Sequence, residues 1–153
     1  KAQQTGYTPE VILSGRNVNN KMPFFVSDQT IKLMKSKGIE ISKSKILVLG
    51  AAFKENCPDI RNSKVIDLIK SLENNGISVE CYDPLVSSED KKKTNISWID
   101  KLDESMKFDA IIFAVPHDIL MIDINHILNL KKTTSVVFDI KGFLPEALVD
   151  GRL

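Results

Sequence analysis

Cysteine is nearly absent from this chain: Cys57 and Cys81 are the only two. They are too few for a disulfide scaffold and too far apart for a CxxC metal or redox site. Both are expected as reduced thiols, as in a cytoplasmic protein. A charge of one sign is missing as well. Twenty-one Lys and Arg stand against twenty Asp and Glu, a formal net charge of +1. That balance gives no overall attraction to nucleic acid or to an anionic membrane. No apolar run approaches the roughly 20 residues that span a bilayer, and the opening residues lack a signal-peptide pattern. What is present is the profile of one soluble globular domain: 153 residues, 42% hydrophobic and 27% charged. A chain of this length buries roughly 70% of its unfolded surface without staples. It begins with Lys1 rather than Met, so it is expected to be part of something longer, with a share of a function.

The first segment reads as helix. Thr8-Pro9-Glu10 predicts its start: a Thr cap, Pro at the first helical position, then an acid near the positive end of the dipole. Val11, Gly15, Val18, Met22 and Phe25 follow at helical spacing as an apolar stripe. Pro23 predicts a kink or restart, and Lys37-Gly38 a stop. The apolar face wants a partner, either the rest of this domain or a subunit or interdomain contact.

From Lys45 the pattern changes. Lys45 to Gly50 is a short, continuously apolar run ending in Gly, the look of a buried parallel strand. Val65, Leu68, Ile69 and Leu72 predict a helix capped by Asn62 or Ser63 and closed at Asn74-Asn75-Gly76. Ile77–Tyr82 reads as strand, Ser87–Thr94 as loop, Asn95–Trp98 as a short strand and Asp100–Met106 as a short helix. Asp109–Val115 is a second fully apolar strand, Ile119–Leu130 a helix, and Thr134–Ile140 the last strand. Strands that alternate with helices and are apolar on both faces predict an α/β fold: a doubly wound parallel sheet, Rossmann-like, preceded by a helical segment. Ligands of such sheets bind beyond the carboxyl ends of the strands.

After the first strand comes the run Gly50-Ala51-Ala52-Phe53-Lys54-Glu55-Asn56-Cys57-Pro58-Asp59-Ile60-Arg61-Asn62-Ser63. The GxGxxG of a dinucleotide turn is missing. Only its first Gly is present, and Phe53 and Lys54 occupy the turn. The loop is also longer than the usual two to six residues, as functional loops at the ligand end of a sheet often are. Lys54 and Arg61 suit a phosphate, one as a point charge and the other as a planar fork. A surface salt-bridge cluster of Lys54, Asp59 and Arg61 is the competing reading. Asp83 falls where a Rossmann fold places its ribose-binding acid, but Pro84 makes a plain turn at least as good. His117 suits a ligand or a helix cap, and Asp118 is an equally good cap. Lys141, ending the last strand, adds a third cation or is plain surface, and Lys91-Lys92-Lys93 is a solvated face. Cys57 lies between Lys54 and Arg61, which would lower a thiol pKa, yet no His lies near it in sequence to act as base.

The 50–63 run, followed by Tyr82-Asp83-Pro84, closely resembles the C-terminal domain of the UDP-glucose/GDP-mannose dehydrogenase family. The Glu55–Ser63 wording is nearest the branch that oxidises UDP-N-acetylhexosamines for capsule, O-antigen or Vi-type polysaccharide. Gly6–Ile12 through Arg16, Asn19 and Met22-Pro23 resembles the end of that family's central helical region, and Phe138–Gly142 its last strand. The resemblance implies that residues 1–42 end the helical, dimerising region and that 43–153 form the UDP-sugar-binding domain. It implies a parent enzyme with an N-terminal NAD-binding domain, acting as a homodimer. That enzyme performs two NAD-dependent oxidations at C6 of the sugar through an upstream catalytic cysteine. That cysteine's motif is absent here, so no catalytic residue is assigned and the chain alone is expected to be inactive. Phe53 and Lys54 match the family's UDP-sugar-contacting pair. Arg61 matches the arginine that reaches toward NAD. Lys141 falls where many relatives have a substrate-contacting arginine, keeping the charge and losing the fork. Arg16 is the candidate for a neighbouring subunit's substrate, and His117 matches a strand-end His with no role to assign. The alternative is a stand-alone, non-catalytic doubly wound nucleotide-binding or interaction module. A phosphoreceiver version of it would need an acidic pair where Gly50-Ala51 stands.

Overall fold

A computed structural model describes residues 10–153, with side chains described from residue 15 onward. The expected Thr8–Pro9 start and the Gly6–Pro9 part of the resemblance lie outside the described residues. Helix α1 (Glu10–Ser36) leads through a 3-10 turn to β1 (Lys45–Leu49), α2 (Lys64–Asn74) and β2 (Ser78–Tyr82). Then come α3 (Ser88–Lys92), β3 (Phe108–Phe113), α4 (Asp118–Ile122), α5 (Ile124–Asn129), β4 (Lys131–Asp139) and β5 (Gly151–Arg152). The sheet order is β2-β1-β3-β4-β5, and every pairing is parallel. That is a doubly wound sheet whose strand order reverses between β1 and β3.

The alternation of side chains along β1 and β3 divides the core in two. Ile46, Val48, Ala110 and Ile112 face one layer with α1 and α2, while Leu47, Leu49, Ile111 and Phe113 face the other with α4 and α5. Both strands are buried on both faces, as their continuous apolar runs predict. Val65, Leu68, Ile69 and Leu72 of α2 are all buried as their spacing demands. Ser63 is the N-cap of α2, its hydroxyl accepting from Val65 N–H.

Helix α1 departs from its expected form in two ways. It runs unbroken through Pro23, so of the expected kink or restart the restart is ruled out. Proline there removes one hydrogen bond, to the Asn19 carbonyl, and the ring itself is buried. The expected stripe is also not the packed one: Val18 and Phe25 are exposed. The buried face runs Pro23, Val26, Ser27, Thr30, Ile31, Met34. It includes two polar residues, of which Thr30 is satisfied by donating to Val26 O at 2.9 Å. Met34 and Val26 join the core beside α2, so one face of α1 packs on this domain while Val18, Phe24 and Phe25 stay outside. Gly38, at φ +75, ends the helix as expected.

Four shorter expectations are corrected. Residues 88–92 are helix α3, not loop, because Ser87 caps Asp90 N–H while Glu89 and Asp90 sit at the positive end and Lys91 and Lys92 at the negative end. Asn95–Trp98 forms one bridge, Cys81 to Trp98, rather than a strand. Residues 100–106 are turns, held by Asp103 accepting from Ser105. The expected 119–130 helix is split into α4 and α5 at Asp123, whose φ −107, ψ 23 leaves the helical region. No helix among the described residues is long and apolar enough to cross a membrane.

Candidate functional site

The reversal between β1 and β3 opens a crevice at the carboxyl edge, and its tightest point is Gly50. At φ +77, a Cβ there would lie 2.4 Å from Val115 O, so only glycine lets the two strand ends approach. Around this point lies a cleft of about 480 Å³. Its floor is Ala114 and Val115 after β3, and one wall is Ala52, Phe53 and the Asn62–Val65 entry to α2. The opposite sides are Ile140 and Lys141 after β4, and Asn19, Met22, Pro23 and Val26 of α1. Helix α1 thus walls the cleft with the upper part of the same face that packs lower down on the core.

The long loop after β1 is tied down from within. Asp83, buried at the end of β2, accepts from Ala51 N–H at 2.7 Å and Ala52 N–H at 3.2 Å through Oδ2, and from Leu85 N–H at 2.9 Å through Oδ1. His117 Nε2 lies 3.1 Å from Asp83 Oδ2, and His117 Nδ1 accepts from Asn56 N–H at 2.9 Å. A nitrogen that accepts carries no proton, so the imidazole is the neutral Nε2–H form, donating to Asp83. Burial alone would raise the Asp83 pKa. The hydrogen bonds from His117, Ala51 N–H and Leu85 N–H outweigh it and hold the carboxyl below its usual value. Asn56, at φ +55, also exchanges two 3.0 Å bonds with Asp118, Nδ2 to Oδ2 and N–H of Asp118 to Oδ1. Phe53 N–H donates to Asp59 O at 2.7 Å and closes the base of the loop.

Two of the expected site residues, Phe53 and Lys141, meet on the cleft. Lys54 is exposed beside Phe53 but does not line it. Arg61 is turned onto Asp59 in a paired contact, Nε to Oδ1 at 3.0 Å and Nη2 to Oδ2 at 2.7 Å. The side-chain and backbone donors of Arg61 lower the Asp59 pKa to about 2. The salt-bridge reading therefore holds for Asp59 and Arg61 and not for Lys54. Lys141 Nζ instead approaches Glu55 Oε1 at 3.9 Å. Arg16 is exposed on α1, three residues before Asn19 and so on the helix face that walls the cleft.

Asp83 is neither a bare turn nor a ribose ligand: it makes the expected turn through Leu85 and also anchors the neighbouring strand's loop. His117 occupies the N-cap position of α4 without capping it, and Asp118 bonds Asn56 instead. Cys57 is half-buried. His117 meets this loop at the adjacent Asn56, but both its ring nitrogens are engaged, so it does not serve as base to that thiol. Burial pushes the Cys81 thiol up, away from nucleophile chemistry.

Asp139 was not picked out from the sequence. Buried at the end of β4, it accepts from Lys141 N–H at 3.1 Å, Gly142 N–H at 2.9 Å and Leu144 N–H at 2.7 Å, shaping the turn that presents Lys141. A strand-end acid followed by a glycine turn was the available signal. The N-terminus of α2, with Ser63 and Lys64 on the cleft, was missed as well. Its N–H groups carry the positive end of an 11-residue helix.

Residues 47–146 match the UDP-glucose/GDP-mannose dehydrogenase family, UDP binding domain. The chain belongs to this family. Among curated relatives, the UDP-N-acetyl-D-glucosamine 6-dehydrogenase of Salmonella typhi is 41% identical, over all of this chain and 36% of that protein. Protein CapL of Staphylococcus aureus is 40% identical over 94% of this chain and 34% of its own length. The solved UDP-D-ManNAc dehydrogenase of Pyrococcus horikoshii superposes with a TM-score of 0.77 at 22% identity, over 99% of this chain and 35% of that one. The last is a likeness of fold. This family member spans about a third of the length of the relatives it matches. In a dinucleotide-binding sheet the N–H groups after the first strand face a pyrophosphate. In this UDP-binding domain those of Ala51 and Ala52 are committed to Asp83 and the bulky Phe53 follows, so the turn does not fit NAD.

Proposed function

We propose that this chain is the UDP-sugar-holding part of an NAD-dependent nucleotide-sugar 6-dehydrogenase. The whole protein would oxidise C6 of a UDP-N-acetylhexosamine from CH2OH to carboxylate for surface-polysaccharide synthesis in the cytoplasm. The observation that carries this reading is the cleft at the β1/β3 reversal, in a chain of this family, with Lys141 and Phe53 on its wall. The UDP diphosphate sits among Lys141, the N-terminus of α2 and Lys54 swung in from the rim. Charge-assisted bonds to phosphate are the strong kind, and binding energy gathered there holds the sugar in place for chemistry elsewhere.

NAD belongs to the N-terminal domain of the parent protein. Arg61 leaves Asp59 to reach toward it when the two domains close. Residues 1–42 are the end of the central helical region and 43–153 the UDP-sugar domain. The exposed Val18, Phe24 and Phe25 lie on the side of α1 that a homodimer would cover, and Arg16 reaches toward the neighbouring subunit's substrate.

Calorimetry with UDP tests the reading. Heat of binding is expected for this chain, with loss of affinity in Lys141→Ala and Lys54→Ala. Absence of heat, or binding indifferent to both changes, leaves an interaction module as the better account. No NADH is expected from this chain alone with any UDP-sugar.

A further inference from the structure

His117 is wholly buried, is polar, and takes no part in the proposed contacts with UDP. Its two ring nitrogens nevertheless join two things that matter to the cleft. Nε2 meets the Asp83 carboxylate, which also holds Ala51 and, on the cleft wall, Ala52. Nδ1 receives the N–H of Asn56 at the tip of the long loop. Between these two anchor points lie Phe53, on the cleft wall, Lys54, and Glu55, whose carboxylate approaches Lys141. The loop is pinned at its base by Phe53 N–H to Asp59 O and at its tip by Asn56. Asn56 is in the left-handed region, which asparagine adopts more readily than other non-glycine residues, so the loop can turn there and offer its N–H to the ring.

We propose that His117, as the neutral Nε2–H imidazole clamped between Asp83 and Asn56 N–H, is a positioning residue that sets the loop conformation in which Phe53 and Lys54 receive a nucleoside diphosphate. The inference rests on the reading of the cleft as a UDP site. It concerns a residue that touches no ligand. The decisive contact is the Nδ1 acceptor, because Asp83 retains three backbone donors without His117, whereas His117 is the one protein acceptor that holds Asn56 N–H among the described residues.

Side-chain amides separate the two contacts. The amide of asparagine reaches the position of Nδ1, and that of glutamine the position of Nε2. Nitrogen-detected NMR of the wild-type chain is expected to show His117 protonated at Nε2 and bare at Nδ1. His117→Phe is expected to weaken UDP up to about tenfold, the upper size of one lost hydrogen bond, and to speed amide exchange at Asn56. His117→Asn is expected to restore both to near wild type, while His117→Gln, which keeps only the Asp83 contact, behaves like His117→Phe. A proton found on Nδ1 overturns the proposal, and this reading needs no variant to fold. So does His117→Gln retaining affinity that His117→Asn loses, or His117→Phe binding UDP as wild type does while Asn56 exchange rises. A wild-type chain that takes up no UDP, with Asn56 protected and the Nε2–H form present, overturns the UDP reading and the ligand side of this inference together.

Discussion

Asp83, at the end of β2, accepts the N–H of Ala51, 32 positions earlier, at 2.7 Å. A protein carboxylate therefore sits where a dinucleotide-binding sheet would hold a phosphate, and the first turn of this sheet is closed to one. Asp83→Asn places an amide donor against N–H donors. It is expected to lower unfolding free energy by about 1–3 kcal/mol, the cost of buried groups left unpaired. Urea denaturation of the two proteins measures the difference.

The same carboxyl makes stability depend on acid. Its folded pKa lies below the ordinary carboxylate value, so the unfolded chain takes up the proton first. The contribution is complete above the unfolded value, about pH 4, and is lost as pH falls through the folded one. The urea midpoint of wild type is expected to drop below about pH 4 more steeply than that of Asp83→Asn. Parallel curves would show that Asp83 does not carry this dependence.

Gly50 admits no side chain. Both its φ of +77 and the 2.4 Å approach to Val115 O oppose a Cβ, and the clashing atom is backbone, which cannot swing away. Gly50→Ala is expected to cost about 3 kcal/mol or more, above the strain of a left-handed residue alone. A thermal midpoint equal to wild type would show that the strand ends can part freely.

Lys141 and Lys54 should act on affinity with little effect on stability, since both are exposed. Each alanine variant is expected to weaken UDP by about tenfold or more, as loss of a charged hydrogen bond does. Lys141→Arg is expected to bind at least as well as wild type, because the fork can grip two phosphate oxygens. Calorimetry at fixed ionic strength reads all three.

Glu55 competes for the same cation. Its carboxylate stands 3.9 Å from Lys141 Nζ, a weak and screened contact. Glu55→Gln removes a like charge from the path of a diphosphate and is expected to tighten UDP about two- to threefold at low salt, with the gain fading as salt rises. An equal or weaker affinity would place Glu55 away from the bound phosphate.

Much of the fold was legible because it depends on local rules. The runs at 45–50 and 109–115 read as strands buried on two faces and are so at Lys45–Leu49 and Phe108–Phe113, and Val65 to Leu72 read as a helix with one apolar face. What misled was local also: the Val18–Phe25 stripe is apolar, but the face that packs was chosen by α2 and includes Ser27 and Thr30. The 88–92 helix was hidden by its polar composition, since its support is capping and dipole rather than burial.

The amino-acid order alone settled the alternation of strand and helix, the missing glycine fingerprint and the loop that carries the family's wording, because each is a property of neighbours in the chain. Which side chains meet was decided by the tertiary structure. Asp83, His117 and Asn56 come from three separate strand ends, and Lys141 reaches the cleft wall by a turn wired to Asp139. Contacts across such distances follow from how the sheet is wound, which no short stretch of sequence encodes.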